Sequence, residues 1–342
     1  MNLRGKNYHI FNVPYSKEDY LKKVESFRLF SWEGLRSTKV QAHEFWIKFP
    51  NKYLEGIKNL NSSGEYVTHS KNVYHGYLVR EGENLKYVQY FQVPPHKDSM
   101  DMTVGGNGVE LSYENVVCGW GKLYNVRFCA ECWPDIVDSE YSMFCTSSSN
   151  IFGCMGLRKK QYCILNKQYS KDEYEKLVAK IIEKMQADRE WGEFFPTEHS
   201  PLPYNLSMSG DYFPLTKDKT QAKGYGWKDK TDTLIPAASY DIPDGIKDVG
   251  EDILQKVLVC EVSKRPYKIQ PQELAFYIQQ NIPIPHRHPE ERYEERFRSI
   301  DPLELYHRQC MNEGCKNEFE TTYAPERPEK VYCESCYQKT IV

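Results

Sequence analysis

Residues 150–174, NIFGCMGLRKKQYCILNKQYSKDEY, decide how the rest of the chain is read. The stretch ends a run of Cys-punctuated strands, makes a short basic turn, adds one last strand and starts a helix. It also occurs twice. Leu3-Arg4, Lys6, Tyr8, Ile10, Asn12, Tyr15-Ser16-Lys17 and Tyr20 return 154 residues later as Leu157-Arg158, Lys160, Tyr162, Ile164, Asn166, Tyr169-Ser170-Lys171 and Tyr174. Ten identities in register over eighteen positions mark an internal duplication, the sequence signature of repeat architectures.

Both copies have one grammar: a final strand, then a capped helix. In the second, Ser170 and Glu173 make a capping box, and Tyr174, Leu177, Val178, Ile181, Ile182 and Met185 share one helical face. In the first, residues 3–12 are the strand, and Ser16 with Asp19 starts a helix burying Tyr20, Val24 and Phe27. A further helix is expected over residues 37–49, stopping before Pro50. These helices are expected to cover the open ends of the strand array, which would otherwise expose edges and apolar core. For the N-terminal pair, docking elsewhere in an oligomer is the alternative.

Between the copies, from about Gly64 to Asn166, short strands alternate with turns. Asn precedes an aliphatic residue at Asn72-Val73, Asn84-Leu85, Asn115-Val116, Asn125-Val126 and Asn150-Ile151, with Tyr74, Tyr87, Phe128 and Phe152 soon after four of them. Cys118, Cys129, Cys145, Cys154 and Cys163 punctuate the same ladder at gaps of 11, 16, 9 and 9. Units of about ten residues, with Asn stacking at bends and Cys stacking in a narrow core, fit a parallel β-helix. An antiparallel β-sandwich also has short strands at such spacing. It needs hairpin turns, and Gly105-Gly106-Asn107-Gly108 is the main signal of one.

The 342 residues allow two or three domains. A net charge of −3 and pI near 6.3 supply no general field for nucleic acid or anionic membrane. No apolar run approaches the ~20 residues of a membrane helix, and the N-terminus lacks a secretory h-region. A reducing, cytoplasmic compartment is therefore expected, where eleven cysteines mean thiols or metal ligands. Residues 191–250 carry too many aromatics for a linker and read as an ordered strap along the solenoid, followed by a short helix at residues 253–259.

One constellation is chemically specific. Cys310-x4-Cys315 and Cys333-x2-Cys336 are two paired-thiolate knuckles at zinc-ribbon spacing, with residues 319–323 as a strand and Pro325 and Pro328 at turns. Four cysteines close the coordination shell of Zn2+, so the metal is structural, and in so small a module it supplies much of the folding energy. His307 is surplus. Cys129-x2-Cys132 is a lone pair, read as core-stacked thiols with a redox or metal role as the alternative. His96, Asp98 and Asp101 are read as a solvated loop rather than an acid–base group. The run at residues 288–298 alternates in sign at helical spacing, as a solvated helix face does. Residues 256–342 hold 13 Lys+Arg against 14 Asp+Glu, so the zinc module lacks a basic surface. No P-loop, GxGxxG, GxSxG or HExxH occurs.

At residues 152–174 the chain resembles a family of uncharacterised bacterial proteins that join a double zinc ribbon to Cys- and Asn-rich β-helical repeats. Glu273, Phe276-Tyr277, Pro283, Pro285 and Arg292 resemble the family's double ribbon. The resemblance implies a first ribbon beginning at Cys260, but Ser263 replaces its second cysteine and His288 and Glu291 occupy its other pair. That ribbon is expected to keep its fold without metal, with Cys260, His288 and Glu291 as a weak second site. Some members carry a CoA-transferase label that nothing in these residues supports. The chain resembles the C-terminal half of longer members.

The expected architecture is mainly β with α caps. Residues 1–60 hold the first repeat's strand and helical cap, 61–169 a parallel β-helix, 170–250 a capping helix and strap, and 251–342 a double-ribbon module with only the second ribbon intact. The expected function is a non-enzymatic intracellular scaffold with a protein partner and structural zinc. The alternative is RNA or DNA binding through the ribbon and exposed aromatics, helped by Arg4, Lys6, Arg158, Lys159 and Lys160. A carbohydrate-active β-helix enzyme, which needs paired carboxylates in a cleft, is the third reading.

Overall fold

Every third side chain from Val67 onward points inward: Val67, Ser70, Val73, Gly76, Val79, Gly82, Leu85, Val88 and Phe91 are buried in turn. The residue before each is left-handed, with φ of 51–62° at Tyr66, His69, Asn72, His75, Leu78, Glu81, Asn84, Tyr87 and Tyr90. Two extended residues and one left-handed corner make a step, and four steps close a coil. A left-handed non-glycine residue costs on the order of 1 kcal/mol. Here that cost is offset by hydrogen bonding to the coils above and below and by burial of the following side chain. The structure, a computed structural model, describes residues 7–119, 121–229 and 240–340.

Val67 pairs with Val79, Leu85 with Ser99 and Met102 with Asn115, so a coil takes 12, 14 or 13 residues. The result is a parallel β-solenoid of about 8 turns. Its twelve-stranded sheet runs from Gly56–Ile57 to Gln161–Ile164, and only the last strand, Lys167–Gln168, is antiparallel. The sandwich alternative is thereby excluded. Gly105 is an inward position rather than a hairpin turn, and a Cβ there would lie 2.5 Å from the Phe91 ring. The ten-residue unit is corrected too. Cys145, Cys154 and Cys163 are separated by three inward steps, less than a coil, so they stand in different columns.

One inward column runs Val67, Val79, Phe91, Gly105, Cys118, Cys132, Cys145 and Leu157. Cys129 and Cys132 are neighbouring inward steps, which makes CAEC a core-stacked pair. The small polar core residues close on the backbone two residues behind. Ser70 Oγ donates to Thr68 O (2.9 Å) and accepts from Gly82 N (3.0 Å) on the next coil. Cys132 Sγ donates to Ala130 O (3.4 Å). A narrow core can therefore hold hydroxyls and thiols without leaving them unsatisfied.

Outside, one corner column is an amide ladder. Asn72 Nδ2 donates to Asn84 Oδ1 (3.0 Å), Asn84 Nδ2 to Asp98 Oδ1 (2.8 Å) and Asn125 Nδ2 to Asp138 Oδ1 (2.7 Å). Asn and Asp tolerate the left-handed corner better than most residues. Asn115 does not belong to this ladder. It is buried, donating to Val126 O and accepting from Cys129 N.

The duplication is visible in three dimensions. His9 pairs with Pro14 and Ile10 with Val13; Cys163 pairs with Gln168 and Ile164 with Lys167. Phe11-Asn12 and Leu165-Asn166 are left-handed alike, and Tyr8–Tyr20 and Tyr162–Tyr174 ring pairs lie 5.5 and 5.8 Å apart. Leu3, Arg4 and Lys6 lie outside the described residues.

The helices are α1 (Lys17–Ser26), α2 (Trp32–Trp46), α3 (Lys171–Asp188), α4 (Met208–Tyr212), α5 (Lys217–Ala222), α6 (Pro271–Gln280), α7 (Pro289–Phe297) and α8 (Glu334–Thr340). Ser16 and Ser170 cap α1 and α3 as their sequences require. The second helix starts earlier than residue 37, because Ser31 caps it through Gly34 N (3.1 Å). α3 lays its apolar face on Phe152, Ile164, Tyr141 and Tyr162, the flank of the last coils. It does not roof the end: Lys160 is exposed and Leu157 half-buried there. The N-terminal helices dock on the C-terminal module, with Trp32 N donating to Asp244 O (2.8 Å) and the Trp32 ring stacked 4.6 Å from His286. The strap follows the solenoid: Trp191 packs on Phe128 and Tyr141, and the Tyr212 and Tyr90 hydroxyls meet. Residues 230–239 of it lie outside the described residues. The helix expected at 253–259 is a 3-10 turn, Glu251–Gln255, followed by a strand, Leu258–Val259.

Candidate metal centre

Strands Tyr306–Gln309 and Glu318–Thr321 form an antiparallel hairpin that presents Cys310 and Cys315 at one end. Lys330–Tyr332 runs beside Pro50–Lys52, ahead of the solenoid, and delivers Cys333. α8 then begins and carries Cys336. The four sulfurs lie within 4.8 Å of one another, with Cys315 Sγ and Cys333 Sγ 3.9 Å apart. A tetrahedral ion with bonds of about 2.3 Å would set sulfurs ~3.8 Å apart, so the set fits a single metal.

The surroundings favour thiolates. Cys333 N donates to Cys310 Sγ (3.3 Å), Asn317 Nδ2 to Cys333 Sγ (3.5 Å) and Asn312 Nδ2 to Cys336 Sγ (3.4 Å). Burial alone would raise the Cys333 thiol, but donors from Ser335, Asn317 and Cys336 bring it down to about 6. Cys336 is pushed up by burial and by Cys333 and Cys315, as expected where neighbouring sulfurs compete for one proton. A metal would replace that proton and satisfy all four sulfurs. The sulfurs of Cys310, Cys333 and Cys336 cluster with Cys315, Phe319 and Tyr332, and beyond them the module buries Val331, Ala324, Thr321 and Thr322.

Other predicted residues stand elsewhere. His307 is exposed, 3.3 Å from Glu318, outside the thiol set. Cys260 is fully buried in a knuckle whose turn is held by its main chain, Cys260 N to Arg265 O and Lys264 N to Cys260 O. His288 Nδ1 accepts from Glu290 N at the start of α7. Among the described residues Cys260, His288 and Glu291 do not converge as a donor set. The run at 288–298 is no free solvated face: Arg292 reaches Glu273 (3.2 Å) and Tyr277, and Arg287 bridges Glu261 and Glu295 (both 2.8 Å).

His96, Asp98 and Asp101 belong to a strand, His96–Gly105, and not to a loop. His96 points into the core edge-on to Phe91 with neither ring nitrogen hydrogen-bonded, and burial lowers it to about 4. Asp98 and Asp101 are outward corners, so the three do not meet. All eleven cysteines are unbridged. No helix among the described residues is long and apolar enough to cross a membrane.

Sequence reading missed the contact that joins ribbon to solenoid. Glu65, 3 % exposed, accepts from Glu55 N (2.5 Å) and Thr322 Oγ1 (3.2 Å). Burial, with Asp301 nearby, raises it to about 7. A glutamate two residues before an inward valine, beside Tyr77 on the next coil, was the available signal. No family model, curated protein or solved structure matches this chain, so the four-thiol centre and the solenoid surfaces carry the functional reading.

Proposed function

We propose that the protein is a non-enzymatic binding scaffold in which Zn2+ at Cys310, Cys315, Cys333 and Cys336 fixes the C-terminal ribbon and the solenoid supplies the partner surface. The observation that carries the reading is the aromatic surface on the first coils. Tyr66, Tyr74 and Tyr87 are 45 %, 48 % and 53 % exposed, and Tyr87 packs on both Tyr74 and His75. Rigid tyrosines on a fixed scaffold are favoured contact residues, because they bury much area at little entropic cost. Four thiolates leave the metal no open position, which suits a structural role. Eleven unpaired thiols favour a reducing compartment such as the cytoplasm.

A photo-crosslinking residue at Tyr87 should capture one defined polypeptide. Once purified, that polypeptide should bind the wild type and not a Tyr74→Ser/Tyr87→Ser double variant. The competing reading, nucleic-acid binding, is favoured by the exposed run Arg158, Lys159 and Lys160 at the end of the solenoid. Salt-sensitive binding of single-stranded RNA or DNA that is lost when these three become Gln would replace the scaffold reading. Metal analysis of purified protein should find one zinc per chain, and its absence would remove the ribbon from the proposal.

A further inference from the structure

Three successive coils place Glu65-Tyr66, Tyr77-Leu78 and Tyr90 in one outward column, since Glu65 pairs with Tyr77 and Tyr77 with Gln89. The strap crosses this column with Tyr212, and residues Ile300, Asp301, Pro302 and Leu303 close the other side. Between them lies a cavity of about 230 Å3. That is below the ~300–1,000 Å3 of sites for drug-sized ligands, so it suits a head group or a side chain.

We propose that this cavity binds an alkylated ammonium group, held by the tyrosines Tyr66, Tyr77, Tyr90 and Tyr212 and by the carboxylates Glu65 and Asp301. Aromatic rings attract a desolvated organic cation, and several tyrosines with an acid are the chemistry that recognises quaternary ammonium. Glu65 is buried, and its two oxygens each accept one hydrogen bond, leaving a lone pair apiece. Asp301 accepts from Tyr66 OH (3.3 Å). Arg327 stands 3.8 Å from Asp301, but Glu329 engages its guanidinium at 2.6 and 3.2 Å. Glu55, Glu304 and Glu320 add further negative charge around Tyr66 and Tyr77. Burial, then Asp301, Glu65 and Glu55, push the Tyr66 phenol up to about 12. The excess of negative charge over fixed cations separates this site from a neutral sugar or apolar pocket. The cavity shares Tyr66 with the exposed tyrosine surface but neither Tyr74 nor Tyr87, so failure of the Tyr74→Ser/Tyr87→Ser test leaves this proposal standing.

Titration calorimetry on the full chain at pH 8, above the range in which burial keeps Glu65 protonated, should detect choline, while its neutral isostere 3,3-dimethyl-1-butanol binds about tenfold more weakly or not at all. Asp301→Asn and Glu65→Gln keep the side-chain shapes and should each weaken choline about fivefold or more. Tyr66→Phe keeps its ring and should change affinity by less than about threefold. A trimethyllysine peptide that binds more tightly than choline identifies a protein side chain as the source; the reverse order identifies a free ammonium compound. No binding of either ammonium probe, or equal binding of the isostere, overturns the proposal. Tyr212→Ala tests the strap wall, and if it unfolds the protein the two isosteric acid variants decide alone.

Discussion

Two ribbon-like hairpins stand in the same C-terminal half and are held by different means. The first, Leu258–Val259 with Pro266–Tyr267, turns through Cys260 and Ser263 and packs on Ile246, Ile253, Ile269, Leu274, Tyr277 and Ile284. An ion pair from α7, Glu290 with Arg265, fastens it from outside. The second, at Tyr306–Gln309 and Glu318–Thr321, has its own sulfurs inside it, with Val331 as its one fully buried aliphatic side chain among the described residues. A β module this small needs either an aliphatic core or a metal. The first is filled by neighbouring segments; the second is filled mainly by its sulfurs.

The largest effect that tests this contrast is at the thiols. On the proposed zinc occupancy, Cys333→Ser with Cys336→Ser should abolish metal binding and unfold residues 306–332, since structural zinc contributes roughly 10–16 kcal/mol to such modules. The solenoid should stay folded. Metal analysis with hydrogen exchange reads both at once: protection lost in the ribbon and kept at Val67, Val126 and Ile151. Retention of metal, or of ribbon protection without it, would remove the contrast.

The converse experiment is Ile284→Ala, in the core of the first hairpin. Ile284 is 0 % exposed, so the cavity should cost about 2–5 kcal/mol and lower the thermal midpoint of the C-terminal half. Metal content should not change. If metal falls in proportion, the two hairpins are one cooperative unit and the comparison fails.

The second ribbon's docking on the solenoid has its own pH signature through Glu65. Folding raises this carboxyl from 4.5 to about 7, chiefly by burial, so the folded state holds the proton more tightly than the unfolded one. The contribution is fully present below about pH 4.5 and is lost as pH rises through about 7. Glu65→Gln mimics the protonated form and should gain on the wild type between those limits, by up to about 3 kcal/mol at ~1.4 kcal/mol per unit. Melting at pH 5 and pH 8 checks it. A difference that is the same at both pH values sinks the assignment.

Much of this architecture was legible in the chain. The duplicated segment located a strand-and-helix unit, which in both copies is an antiparallel hairpin of one register followed by the helix. The thiol spacing located a set of sulfurs that converge. The solenoid was legible as parallel, but its period was misread, because Cys and Asn occupy several columns and their gaps mix steps with coils. The stronger signal was the small or aliphatic residue at every third position, Val67-x2-Ser70-x2-Val73-x2-Gly76-x2-Val79. That same period explains His96, which falls on an inward step within a polar-looking segment. Contacts between distant segments were not legible. Trp32 on His286, Thr322 on Glu65 and Lys330–Tyr332 beside Pro50–Lys52 depend on how separately folded pieces dock, and no local pattern encodes that.

The smallest expected effect is the most direct test of the first hairpin. Its turn is held by Cys260 N to Arg265 O, Lys264 N to Cys260 O and Glu261 N to His286 O, main-chain bonds that survive loss of the thiol. It is also held by donors from Val262, Ser263 and His288 to the Cys260 sulfur, which do not. The hairpin beneath is filled by Leu258 and Tyr267. Cys260→Ala should therefore cost about 1 kcal/mol, the usual size of a single small-side-chain change in a core. His288→Ala removes a local acceptor for Glu290 N and a distant edge contact with the Tyr267 ring (6.3 Å), and should cost no more. Both variants should carry as much metal per chain as the wild type. A loss of one equivalent on either substitution would mean that Cys260 and His288 bind metal after all, and the first hairpin would then be held like the second.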